Sequence, residues 1–136
     1  MPDIMVADSL LGRLDSHVEQ FPDQSIYTYL HEDRSSQTLS YSQLATRVRS
    51  IASHLREQFQ PGDRVVLLYP QGLEFICAFL ACLAAGVIAV PAYPPRRNRK
   101  ADRLNGILAD CAPSALLTVG SVRTSFPTDL SHVPLF

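Results

Sequence analysis

No residue between Phe75 and Tyr93 carries a charge, and five of the eight residues after Pro95 are basic: Arg96, Arg97, Arg99, Lys100 and Arg103. A chain has two ways to satisfy such a run. It can cross a membrane with a basic cytoplasmic flank, or it can form the buried centre of a layered fold. The pattern inside the run favours the second. Gly72 to Ala85 is rich in Leu, Ala and Phe and suits a helix of about 14 residues, whereas a span needs roughly 20. Gly86 then supplies a helix C-terminal turn, "VIAV" (Val87 to Val90) changes to β-branched residues, and Pro91 closes the strand.

The flanking sequence alternates in the same way. "RVVLLY" (Arg64 to Tyr69) is a continuous apolar run, as expected of a strand buried on both faces. After the basic loop, Leu104, Ile107, Leu108 and Cys111 recur at helical steps up to Pro113, and "ALLTV" (Ala115 to Val119) reads as another strand. Strand, helix, strand, helix, strand implies parallel strands with right-handed crossovers. Upstream, Asp8 is positioned to cap a helix whose apolar face is Leu10, Leu14, Val18 and Phe21, ending at Pro22. "IYTYL" (Ile26 to Leu30) and "TLSY" (Thr38 to Tyr41) make a hairpin around a polar loop. Ser40 and Gln43 form a capping box for a helix with Leu44, Val48, Ile51, Leu55 and Phe59 on one face and Arg47, Arg49, Arg56 and Glu57 on the other. The fold class is therefore α/β: a partial doubly wound sheet with helices on both faces, preceded by a helix and a hairpin. The boundary falls between a helix and hairpin unit at about 8–60 and the alternating unit at about 63–120.

Hydrophobic residues make up 46% of the 136, enough for a real core without metals or disulfides. The net charge of −1 gives no field that would gather nucleic acid. Cys77, Cys82 and Cys111 are odd in number, form no CxxC pair and read as free thiols of a reducing cytoplasm. The four histidines are scattered away from metal-ligand spacing, and the N-terminus has no signal-peptide pattern.

Neither a GxGxxG nor a GxxxxGK[ST] phosphate loop occurs, and there is no GxSxG elbow. No catalytic, cofactor-binding or metal-ligating residue is therefore assigned. In open α/β sheets ligands approach the carboxyl ends of strands. That leaves Tyr69 to Gln71 and Tyr93 to Arg97 as the loops best placed to touch a substrate, with plain connections as the alternative. The hydroxyl-rich "TVGSVRTS" (Thr118 to Ser125) reads as an anion contact or an ordinary strand-to-helix turn. Arg96, Arg97, Arg99, Lys100 and Arg103 read as a solvated loop, a docking patch for an acidic partner or a phosphate contact.

"TLSYSQLATRVRSIASHL" followed by "PGDRVVLLYPQGLEFICAFLACLAAGVIAVPAYPP" closely resembles the N-terminal region of adenylate-forming acyl ligases. "LSYSQL" is similar to the Thr-Tyr-x-Glu-Leu segment that opens the second helix in many of them. "LLYPQGLEF … GVIAVPAYPPR" looks most like the fatty acyl-AMP ligases, with fatty acyl-CoA ligases as the alternative. The resemblance covers about residues 8 to 120. It implies a soluble ligase that converts fatty acid and ATP, with magnesium, into acyl-adenylate and passes the acyl group to an acyl carrier protein.

The family's phosphate loop, adenine-binding segments, acidic metal ligand and C-terminal-domain lysine lie beyond the region matched. The expectation is an incomplete N-terminal subdomain over 1–136 that binds no ATP or magnesium and is inactive by itself. The remainder of the ligase is a possible partner. A free-standing carrier-protein docking module is the alternative. Without further strands, an edge strand and the apolar face of the Gly72 to Ala85 helix are expected to lie open.

Overall fold

The computed structural model describes residues 9–94 and 102–123 and Pro134. The elements are α1 (Leu10–Gln20), β1 (Ser25–Leu30), β2 (Ser36–Ser40), α2 (Tyr41–Gln58), β3 (Arg64–Leu68), α3 (Leu73–Ala85), β4 (Ile88–Ala92), α4 (Asp102–Cys111), β5 (Ala115–Thr118) and a single turn, α5 (Gly120–Arg123). The α/β class, the leading helix and hairpin, and helices on both sheet faces match the sequence reading.

Three side chains set the first two helix starts. The Ser9 hydroxyl accepts from the Gly12 N–H at 3.0 Å, so Ser9 is the N-cap of α1. The cap expected at Asp8, outside the described residues, is corrected to its neighbour. Ser40 and Gln43 form the expected reciprocal box on α2: Ser40 Oγ accepts from Gln43 N at 3.1 Å, and Gln43 Oε1 accepts from Ser40 N at 2.9 Å. Because Tyr41 opens that helix, β2 ends at Ser40 and begins at Ser36, two residues earlier than expected.

β1 and β2 pair antiparallel, with an irregularity between Ser25 and Tyr27. A bulge there breaks the period of two. Ile26 and Tyr29 both lie against the core, while Leu30 is 70% exposed.

β3 is the middle of a parallel sheet in the order β4-β3-β5. Its alternate residues feed two cores. Val65 and Leu67, with Ala115 and Leu117 of β5, join Leu44, Val48, Ala52 and Leu55 of α2 and most of α3 in the larger cluster. Val66 and Leu68, with Leu116, join Leu104 and Leu108 of α4 on the opposite face. Chain direction agrees: β3 to β4 crosses over through α3, and β4 to β5 returns through α4.

The uncharged run is thus a buried helix, a turn and a strand. Among the described residues no helix is long and apolar enough to cross a membrane. α3 lies between the sheet and α2, and this corrects the expected open face: Leu73, Cys77, Ala78, Leu80, Ala81, Cys82 and Ala85 are buried, and Leu83 is left exposed. Arg56, exposed as read, reaches from α2 to donate to the Ala84 carbonyl of α3 at 3.0 Å. A cation at that helix end also suits the dipole of α3.

Gly86 ends α3 in the left-handed conformation, φ 76°. Its N–H reaches Leu83 O, and the Val87 N–H reaches Cys82 O at 3.1 Å, which is a Schellman closure. Pro91 does not close β4, which continues to Ala92 opposite Leu68. β4 is an edge strand among the described residues, where a residue without an N–H has no outer ladder bond to lose. At the other edge, the Leu116 N–H of β5 donates to the Pro134 carbonyl at 2.8 Å.

These termini carry measurable stability. Gly86→Ala is expected to cost about 1–2 kcal/mol, through backbone conformation alone. A Cβ there meets nothing nearer than Pro61 Cβ at 3.6 Å. Ser40→Ala is expected to cost about 1 kcal/mol. Urea unfolding at neutral pH measures both, and unchanged midpoints would contradict this account of the two termini.

Candidate functional site

The carboxyl ends of β3 and β5 lie side by side, with Leu68 opposite Thr118 in the parallel register. The Thr118 hydroxyl donates to the Leu68 carbonyl at 2.5 Å and ties the two ends together. The next residue, Tyr69, turns toward the face carrying α2 and α3 and packs against the larger core. Pro70 and Gln71 are exposed, and Gly72 starts α3 at φ 153°, a conformation open chiefly to glycine. This sharp entry leaves a half-open cavity of about 430 Å³ between α2, the start of α3 and the two strand ends.

Its floor is formed by Ile51, Tyr69, Cys77 and Val119, and its rim by Thr46, Arg47, Ser50, Glu74 and Thr118. Burial pushes the Tyr69 phenol up to about 12; Cys82 and Cys77, once ionised in alkali, and the Glu74 carboxylate add to the rise. Burial likewise raises the Cys77 thiol, against the pull of the neighbouring Arg47 guanidinium. Cys82, deeper in α3, is pushed up to about 11 by burial. All three groups are therefore protonated at neutral pH. The cavity offers a phenol, several hydroxyls and a guanidinium over an apolar floor. It suits binding, since a protonated buried thiol is a poor nucleophile.

Of the two loops singled out in the sequence, the structure brings Tyr69 into this cavity and leaves Tyr93 80% exposed, away from the cavity lining. Residues 95–97 of the second loop lie outside the described residues. So do Arg96, Arg97, Arg99 and Lys100 of the basic patch, while Arg103 is exposed on α4. The "TVGSVRTS" stretch contributes Thr118 and Val119 to the cavity, followed by the turn α5. Arg47 is exposed on α2, as read, and from there it also lines the rim. The missed signal is spacing: Thr46 with Ser50, and Arg47 with Ile51, are i, i+4 pairs beside the buried Leu44–Val48 stripe. Glu74 and Cys77 lay hidden in the apolar run because the sequence does not show how α3 enters.

Among the described residues no three His, Cys, Asp or Glu side chains converge as metal ligands. They also contain no glycine-rich turn suited to nucleotide phosphates. These residues do not fit magnesium or ATP, and no step of nucleotide chemistry follows from them.

The AMP-binding enzyme family matches residues 14–134, over the helix, hairpin and sheet just described. The chain belongs to that family. It is 41% identical over 118 residues to the long-chain-fatty-acid–AMP ligase FadD26 of Mycobacterium tuberculosis, covering 84% of this chain and 20% of that one. It is 36% identical over 122 residues to FadD21 of the same organism, described as a fatty-acid–CoA ligase, covering 87% and 21%. The fatty acyl-adenylate ligase of L. pneumophila, crystallised with acyl adenylate and pyrophosphate, superposes with a TM-score of 0.87 at 32% identity, over 94% of this chain and 23% of that one. The chain thus spans about a fifth of the length of the curated relatives it matches.

Burial of the thiols and the phenol has two testable consequences. Alkylation of the native protein at neutral pH should modify the half-buried Cys111 first and spare Cys77 and Cys82 until denaturant is added. Equal rates for the three would contradict the packing of α3. Stability should also fall in alkali. A tyrosine in the unfolded chain loses its proton near pH 10, whereas Tyr69 holds it to about 12. Its contribution is therefore intact below pH 10 and lost as pH climbs toward 12. Tyr69→Phe should flatten that part of the decline, and an unchanged slope would contradict the assignment.

Proposed function

We propose that this chain is the N-terminal portion, over 1–136, of a fatty acyl-AMP ligase. In the whole enzyme a fatty acid carboxylate attacks the α-phosphorus of ATP, giving acyl-adenylate and releasing pyrophosphate. The phosphopantetheine thiol of an acyl carrier protein then attacks the acyl carbon and releases AMP. Such ligases feed lipid, polyketide or nonribosomal peptide assembly, and a cytoplasmic location goes with that role. ATP and magnesium belong to the whole enzyme, whereas this chain contributes scaffold and the cavity at the strand ends.

The observation that carries the reading is the 118-residue match, at 41% identity, to a long-chain-fatty-acid–AMP ligase. The likeness to the L. pneumophila enzyme adds support. Because the described residues fit neither ATP nor magnesium, the chain alone is expected to be inactive.

A chimera tests the reading. In it this chain replaces the matching segment of the L. pneumophila ligase. Acyl-adenylate formed from a fatty acid and ATP, within about tenfold of the parent rate, is the expected result. A folded chimera that makes none would overturn the proposal. The 136-residue chain by itself should release no pyrophosphate, and turnover by it would refute the inactivity.

The basic patch gives a separate expectation, from charge complementarity with an acidic carrier protein. The chimera should bind carrier protein more weakly as salt rises. Arg96→Ala combined with Arg97→Ala should weaken that binding further at low salt. Unchanged affinity in the double variant would remove Arg96, Arg97, Arg99, Lys100 and Arg103 as a docking surface.

A further inference from the structure

We draw no further inference here: the strongest candidate, the half-open cavity between α2, the start of α3 and the carboxyl ends of β3 and β5, belongs to the site already described, and nothing in the structure shows what covers its apolar floor.

Discussion

Four consecutive residues of β3, Val65 to Leu68, are fully buried, and the other elements of the sheet depend on how they are covered. Four successive buried side chains need an apolar layer on each face of the strand and a hydrogen-bonded neighbour on each edge. α3 backed by α2 supplies one layer, α4 supplies the other, and β4 and β5 supply the neighbours. The crossovers must then run to opposite faces, which is the doubly wound arrangement. The uncharged stretch from Phe75 to Ala85 is the consequence: a helix between two apolar layers has little surface on which to carry charge.

The same burial fixes the cavity. β3 and β5 end level with each other, and the Thr118 hydroxyl holds the Leu68 carbonyl at that point. The chain then leaves β3 through Tyr69 and re-enters a helix within four residues, by way of the backbone conformation at Gly72. Tyr69 is drawn over the α2 face, and α2 presents Thr46, Arg47, Ser50 and Ile51 across from it. Polar groups gather at the rim because the α2 stripe beside its buried face is polar, and the floor is apolar because it is the top of the larger core.

Most of this architecture is legible in the residues. The Ser40–Gln43 box, the Gly86 turn and the continuous apolar text of β3 each have one economical structural reading, and each occurs as read. Local pattern fails where a neighbour decides. Pro91 looks like a strand terminator until β4 is known to be an edge. The hairpin's period of two is broken by a bulge that no residue type announces. Arg56 and Arg47 are exposed as read, but nothing in α2 says that a carbonyl of α3 or a cavity lies within their reach. Site residues were legible only at Tyr69, Thr118 and Val119, which follow or end strands. The rest depend on the angle at which α3 meets α2, a tertiary quantity.

Amide hydrogen exchange tests the central claim, that the fold is organised around a doubly covered β3. The account predicts that Val65 to Leu68 exchange slowest, only through global unfolding, while the β1–β2 hairpin exchanges through local opening. If the β3 amides exchanged as fast as those of the hairpin, the two cores would not be closing on that strand, and the basis for the site at its end would be lost.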